Sequence, residues 1–296
     1  MQLTNQQKAY IALCATSTIW GTTWVAMKVG VQYMPAFQMA AIRQLLGGTL
    51  LTSFFILKKQ PIPSWKQLKQ LFIFSLFTFV FANALATFSL QYITSGLASL
   101  ISALYPLSVV VIEFLFYQKK NISKLAFIGI LVGLSGIVFI FYENAFASLP
   151  PKYWLGVFLS FIAMVSWSYS TILIGNNKIG LSNYVSMGWQ MLLSSIPIYF
   201  ISLFFGKNVN LVNIPSEAWI SIVYLIFAGS IISLVAFIYS MRHLPASIAS
   251  LYAYINPIVA TFVGSFLLKE TVSITIIIGT LITLAGVYMV KTYTKK

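Results

Sequence analysis

Residues 70–112, QLFIFSLFTFVFANALATFSLQYITSGLASLISALYPLSVVVI, form an unbroken uncharged stretch between Lys69 and Glu113. A helix of that length, at about 1.5 Å per residue, would be roughly twice as long as the hydrocarbon core of a bilayer is thick. The stretch therefore predicts two membrane-spanning helices rather than one. We place the turn between them at residues 91–96, where polar residues and a glycine interrupt the apolar sequence.

The composition of the whole chain agrees with this interpretation. Only 7% of the 296 residues are charged and 59% are hydrophobic, whereas about 25% of the residues in soluble domains are charged. Charges and turn residues divide the chain into apolar segments of the length that a membrane crossing needs. The predicted spans are residues 10–29, 36–57, 67–90, 95–117, 125–142, 153–174, 184–205, 218–240, 247–268 and 273–290. The sequence thus predicts an all-α integral membrane protein with ten transmembrane helices.

The basic residues predict the orientation of these spans. The chain has 18 lysines and arginines against 4 acidic residues. With a cytoplasmic N-terminus, thirteen of the basic residues fall in cytoplasmic segments and four in outer segments, while Arg43 lies within a span. Such a bias is typical of the positive-inside rule. We therefore interpret the basic excess as a topology signal rather than a nucleic-acid site, and expect both termini on the cytoplasmic side of the cell (inner) membrane.

The two halves of the chain share a pattern that predicts an internal repeat. A shift of 151 residues aligns Pro106 with Pro257, and a shift of 147 residues aligns Trp20 with Trp167. Because each half holds five spans, which is an odd number, the two halves must have opposite orientations. The predicted repeats are residues 1–146 and 147–296. Inverted repeats of this kind are typical of secondary transporters, whose sites lie at the midplane between the halves.

Several short motifs follow one another along the chain. They are Ile19-Trp20-Gly21-Thr22-Thr23-Trp24 in span one, Pro35 and Arg43 near span two, Tyr105-Pro106 in span four, Asn256-Pro257 in span nine and Leu267-Leu268-Lys269-Glu270 after span nine. Together, over essentially the whole chain, they resemble the EamA-type members of the drug/metabolite transporter (DMT) superfamily. The sequence departs from that family at Lys119, where a glutamate equivalent to Glu270 is usual.

The resemblance implies a fold and a range of substrates. It implies ten helices in two inverted five-helix repeats, with a central cavity lined mainly by spans one, three, four, six, eight and nine. The substrates of the family include amino acids, other metabolites, nucleoside-like compounds and cationic drugs. We accordingly expect a small amphipathic substrate that is amino acid-like, aromatic or cationic.

Polar and aromatic side chains recur on faces of these spans that we expect to point inward, because polar groups in lipid must find partners within the protein. The candidate substrate-binding residues are Trp20, Thr23, Trp24, Asn83, Thr87, Ser99, Ser102, Trp167, Ser170, Ser233, Phe237, Ser250 and Tyr254. Ser230 lies on the same predicted face of span eight as Ser233 and Phe237. They predict an aromatic-walled, uncharged polar cavity. The alternative is that the small residues serve helix packing.

Pro106 and Pro257 each remove a helix hydrogen bond and can kink or unwind a span. The kinks would serve gating or would be static. Arg43 would contact an anionic group, or would bond backbone carbonyls and snorkel. Glu113 would couple transport to protons, or would pair with Lys119 or Lys120 at the inner edge.

The sequence disfavours other classes of function. It contains no aspartate, one histidine and one cysteine, so metal sites and most mechanisms based on paired acids are not expected. We expect no cofactor, and expect a small-molecule carrier that works in the lipid bilayer as a monomer or homodimer. The alternative is a polytopic membrane enzyme, or a receptor or assembly subunit without transport activity.

The predicted topology can be tested with reporter fusions. A reporter fused after Lys296 should report the cytoplasm, and one inserted in the loop at residues 143–151 should report the opposite side. A matched fusion in the loop at residues 118–124 should agree with the C-terminal fusion. If the 143–151 and C-terminal fusions report the same side, the predicted topology is wrong.

Overall fold

The computed structural model of the protein describes residues 3–117, 123–145, 150–176, 179–205, 208–244, 248 and 252–293. Within these residues the chain is helical, with no β-strand. The helices are α1 (Asn5–Tyr33), α2 (Ala36–Leu57), α3 (Trp65–Ser89), α4 (Ser95–Ser102 and Tyr105–Tyr117), α5 (Lys124–Ala145), α6 (Tyr153–Asn176), α7 (Asn183–Phe204), α8 (Ser216–His243), α9 (Tyr252–Leu268) and α10 (Ile274–Tyr293). Each of the predicted spans corresponds to one of these helices. A short 3₁₀ turn at Leu211–Asn213 lies between α7 and α8.

The outer surface of the helix bundle is apolar. In the part of the chain that the structure describes, α2, α3, α4, α6, α7, α8 and α10 are long and apolar enough to cross a membrane, and α9 and the Lys124–Ile140 part of α5 are shorter apolar helices. Large side chains such as Phe262 and Phe266 are 73% and 80% exposed. Because soluble proteins rarely expose contiguous apolar surface of this kind, the bundle faces lipid. The chain is therefore a multi-pass membrane protein.

Helix α1 lies in the interior of the bundle. It has 29 residues and contacts α2, α3, α4, α8 and α9. Its middle carries the threonines and tryptophans of the first motif and is less apolar than a lipid-facing helix. The central position explains this composition, because polar side chains there have protein partners.

Helix packing in the first half has counterparts in the second. Helix α2 packs on α7, and α5 packs on α10. Helix α1 packs on α8 and α9, and its counterpart α6 packs on α3 and α4. Glycines permit close approach of the backbones at the α2–α7 and α5–α10 contacts. A side chain at Gly48 would collide with the backbone of Leu192, and a side chain at Gly286 would collide with the backbone of Gly133. Small residues at such contacts are typical of membrane helix pairs.

Within the described residues, helices α3, α4 and α8 depart from regular α geometry. Helix α3 contains a π segment at Leu76–Ala84, and α8 contains one at Leu225–Ile232. Helix α4 is interrupted after Ser102 and resumes at Tyr105. Pro106 thus occupies the first turn of a new segment, where its missing N–H has no cost. Pro257 instead lies inside the continuous helix α9. A role of either proline in gating stays a prediction.

The α5–α10 contact can be tested by overpacking. Gly286→Val should destabilise the fold by about 1–3 kcal/mol, because the added atoms meet the backbone of the partner helix. The measurement is the melting temperature of the purified protein in detergent. Ala285→Val is the matched control, since Ala285 is the neighbouring residue and is exposed on the bundle surface. Equal melting temperatures for the two variants would contradict the described packing.

Candidate functional site

A cavity of about 200 Å³ lies near the middle of the bundle, between helices of the first and second halves. Seven of the candidate residues line it. They are Trp20, Thr23, Trp24, Asn83, Ser99, Ser102 and Trp167. Arg43 of α2 and Ser230 of α8 also lie in its wall. The lining combines aromatic rings, methionines and small polar groups around one arginine.

Helix α1 forms one wall of the cavity. Trp20, Thr23, Trp24 and Met27 line it at the i, i+3, i+4 and i+7 positions of one helical face. The Trp20 indole N–H donates to the carbonyl oxygen of Gly229 at 3.1 Å. Its ring also packs against neighbouring aromatic rings with centroids about 5 Å apart. Trp20 is therefore held in a fixed orientation at the cavity wall.

The π segments supply part of the polar lining. Asn83 lies near the end of the π segment of α3, and Gly229 and Ser230 lie within that of α8. The Ser230 hydroxyl donates to the carbonyl oxygen of Leu225, five residues earlier, at 3.1 Å. The Gly229 carbonyl oxygen, which lies in the π segment of α8, accepts from the Trp20 indole. Residues of both π segments thus contribute polar groups at the cavity.

The Arg43 guanidinium joins four helices at this wall. Its Nη1 lies 3.4 Å from Asn83 Oδ1 of α3 and 3.7 Å from the Met27 sulfur of α1. Its Nη2 lies 3.3 Å from the Ser230 hydroxyl of α8. The side chain is only 7% exposed, and its Nε is buried without a partner among the described residues. The guanidinium therefore bonds side chains at the cavity rather than snorkelling to the membrane surface.

The charge of Arg43 has no acidic partner in the described lining of the cavity. Glu270 accepts hydrogen bonds from the backbone N–H and the hydroxyl of Ser95, each at 2.8 Å. Glu217 lies in the first turn of α8 and accepts from the Ser216 hydroxyl. Glu113 lies on α4 outside the cavity lining, and its predicted partners, Lys119 and Lys120, lie outside the described residues. The cavity wall thus carries a net positive charge.

Some candidate residues lie behind the wall. The Thr87 hydroxyl donates to the carbonyl oxygen of Asn83 at 2.8 Å. The Ser170 hydroxyl pairs with that of Thr78, and the fully buried Ser233 hydroxyl bonds the carbonyl oxygen of Gly229. These three hydroxyls bond other groups of the protein and lie outside the cavity lining.

Two aromatic candidates are also displaced from the lining. Phe237 packs behind Trp20 and Tyr252, with ring centroids 5.1 and 5.2 Å away. Tyr254 faces α10, where the Lys291 ammonium lies 5.5 Å from its ring centroid. Helix register explains the displacement of Tyr254. Tyr252 and Asn256, one turn apart, line the cavity, and Tyr254 lies about 200° around the helix from Tyr252. Ser250 lies outside the described residues.

The structure adds lining residues that the sequence did not single out as candidates. They are Tyr105, Met164, Met187, Met191, Tyr252 and Asn256, among others. The repeat contained a signal for two of them. Tyr105 and Asn256 each precede an aligned proline, and both line the cavity. The methionines carried no signal, because an apolar residue within a span has no distinguishing sequence context.

Comparisons with known proteins agree with this architecture. A sequence model described as the EamA-like transporter family matches residues 7–142 and again residues 154–292. An uncharacterized inner membrane transporter of Escherichia coli (strain K12), YedA, is 31% identical over 88% of this chain and 83% of its own length. An uncharacterized transporter of Bacillus subtilis (strain 168), YoaV, is 26% identical over 95% of this chain and 96% of its own.

A solved crystal structure shares the fold. It has a TM-score of 0.63 to this chain and covers 97% of it, with 99% of the other chain included in the match. The sequence identity is 16%, so the likeness concerns the fold alone.

The polar network at the cavity wall can be tested through its shared acceptor, Asn83. Asn83 Oδ1 accepts from Arg43 and also from the amide of Gln44 at 3.1 Å. Asn83→Ala should lower stability by about 1–3 kcal/mol, because both buried donors lose an acceptor. Melting in detergent measures the effect. Thr171→Ala is the control, because this exposed hydroxyl bonds its own helix at Trp167. Equal melting temperatures for the Asn83→Ala and Thr171→Ala variants would show that the Asn83 bonds do not stabilise the fold.

Proposed function

The chain belongs to the EamA-like transporter family, and we propose that it is a secondary transporter that carries a small amphipathic metabolite through its central cavity. Membership of the family makes it a membrane transporter. The proposal adds the kind of substrate and the route. It assigns the chain to transport rather than to catalysis or receptor assembly, and places it in the cytoplasmic membrane with both termini in the cytoplasm.

The central cavity is the observation that carries the proposal. Transporter sites lie near the bilayer midplane, at the interface between the repeats, and this cavity takes side chains from both halves of the chain. Its volume of about 200 Å³ is below the roughly 300–1,000 Å³ of sites for drug-sized ligands. The site therefore suits a small metabolite. Its aromatic and methionine walls favour an apolar or aromatic body, and its amide and hydroxyl groups favour a polar end.

We propose alternating access between two inverted repeats, residues 1–146 and 147–296. The matched helix pairs, the π segments in α3 and α8, and the two separate matches to the family support this arrangement. Helices α3 and α8 occupy the third position of each half. Movement of one repeat against the other would then expose the cavity to each side in turn.

Contacts at the two ends of the cavity support this mechanism. At the predicted outer end, the Glu270 carboxylate holds the start of α4 through Ser95, and the Lys28 ammonium donates to the carbonyl oxygens of Leu90 and Ile93 at 2.6 and 2.9 Å. At the predicted inner end, an apolar cluster that includes Leu13 and Leu244 packs α1 against α8. Alternating access would require each set of contacts to open in turn.

Two expectations about the working protein accompany the proposal. We propose that the chain functions within the lipid bilayer without a cofactor, as a monomer or a homodimer. We also propose that Glu113 is not the site of proton coupling, since it lies outside the cavity lining. Substrate movement would then be facilitated or linked to a second solute.

Filling the cavity should stop transport without unfolding the protein. Ala163 lines the cavity on α6, whereas Val165 on the same helix is 43% exposed on the outer surface. In proteoliposomes we expect Ala163→Phe to reduce substrate flux by about tenfold or more, because a ring placed there occupies the site. Val165→Phe is the matched control and should retain flux. The substrates to screen are radiolabelled amino acids, organic acids and organic cations.

The same assay separates transport from its alternatives. Flux of an unmodified compound supports a carrier, whereas chemical conversion of the compound would support a membrane enzyme. Equal flux through the Ala163→Phe and Val165→Phe variants, both correctly folded, would show that substrate does not pass through this cavity.

A further inference from the structure

We infer that the transported compound carries a carboxylate, which the Arg43 guanidinium receives at the cavity wall. This inference rests on the proposed transport function and narrows its substrate class. It selects amphipathic organic anions over organic cations. The apolar or aromatic body of the compound would lie against the tryptophan and methionine wall.

The first argument is charge. Arg43 is 7% exposed, lies within a predicted span and contacts neutral partners, namely Asn83, Ser230 and the sulfur of Met27. A buried charge without a counterion is strongly unfavourable in a low-dielectric interior. The described cavity lining contains no carboxylate. The counterion is therefore best supplied by the ligand itself.

The second argument is hydrogen-bonding capacity. The Arg43 Nη atoms lie 3.3 and 3.4 Å from their oxygen acceptors, which is longer than the roughly 2.9–3.0 Å of a typical N–H···O bond. The Nε is buried without a partner among the described residues. A guanidinium has five N–H donors, and its fork matches the two oxygens of a carboxylate. Arg43 therefore retains donor capacity that its present neighbours do not use.

The third argument is preorganisation. Asn83 is itself bonded by Gln44 at 3.1 Å, and Ser230 donates to the Leu225 carbonyl oxygen at 3.1 Å. These bonds fix both partners of the guanidinium before any ligand arrives. A lysine at this position would present a point charge without the fork. The network thus holds a planar cation in one orientation at the edge of the cavity.

The remaining wall explains why the ligand needs an apolar body. Trp24, Trp167 and Met191 line the same cavity as Arg43. Methionine side chains adapt to varied apolar shapes, and aromatic faces bury a large area. Tryptophan faces also attract cations, but an uncompensated guanidinium in the same small cavity repels them. The arginine therefore decides the sign of the preferred charge.

Three probes that share one apolar body test the inference. They are 3-phenylpropanoate, which carries a carboxylate, 3-phenylpropan-1-ol, which is neutral, and 3-phenylpropylamine, which is cationic. Binding is measured by ligand-induced thermal stabilisation of the purified protein, and flux by uptake into proteoliposomes. For the wild type we expect binding in the order carboxylate, alcohol, amine, with the carboxylate about tenfold or more tighter than the alcohol.

The variants assign this preference to Arg43. In Arg43→Gln we expect carboxylate binding to weaken by about 10- to 100-fold, whereas alcohol binding should stay within about threefold. Arg43→Lys should retain part of the carboxylate preference, because it keeps the charge but loses the fork. It also serves as the second variant if the glutamine substitution prevents folding. The matched control is Arg242→Gln, which removes an exposed arginine that stacks on the Tyr184 ring and should preserve the wild-type order.

Each result bears on the inference separately from the transport proposal. Wild-type protein that binds and moves the amine as well as the carboxylate would overturn the inference and leave the transport proposal standing. Equal loss of carboxylate and alcohol binding in a folded Arg43 variant would also overturn it, by showing that the arginine only maintains the structure. Absence of flux for every class of solute in the proteoliposome screen would overturn both.

Discussion

The interior of a bilayer offers no water to polar groups, so each buried donor or acceptor must find its partner within the protein. The centre of this bundle is organised by that requirement. The Trp20 indole of α1 donates to the Gly229 carbonyl oxygen of α8. Arg43 and Gln44 of α2 both donate to the amide oxygen of Asn83 on α3. These bonds lie on the inner faces of the helices, and the apolar faces remain for lipid. The cavity is located where such faces converge.

The same requirement explains which features could be predicted from the sequence. A span must be long and apolar, so the helix positions followed from hydropathy and charge, even within the uncharged stretch at residues 70–112. The cavity-facing side of α1 followed from regular spacing, because Trp20, Thr23 and Trp24 lie on a helix without irregularity. The sequence could not show that Arg43 bonds Asn83 and Ser230, because an arginine within a span can also bond backbone carbonyls or snorkel to the membrane surface.

Helix register decides which of the predicted site residues reach the cavity wall. A π turn adds one residue to the ring that a hydrogen bond closes, so residues beyond it are rotated relative to a regular helix. In α8 the π segment leaves Ser230 in the wall and Ser233 behind it. In α9, Tyr252 lies in the cavity wall and Tyr254 faces α10. The sequence alone did not separate these two positions, because a difference of two residues turns a side chain by about 200° around the helix.

A single arginine in the cavity wall also affects how a carrier of this kind would work. Closing the cavity around a lone guanidinium removes a charge from solvent, whereas closing it around a guanidinium–carboxylate pair encloses a nearly neutral unit. Desolvation of an isolated charge is the more unfavourable of the two. Binding of an organic anion therefore lowers the free energy of the occluded state relative to the empty one. The interaction that selects the substrate thus also favours the conformational change when substrate is present, which links recognition to transport through one side chain.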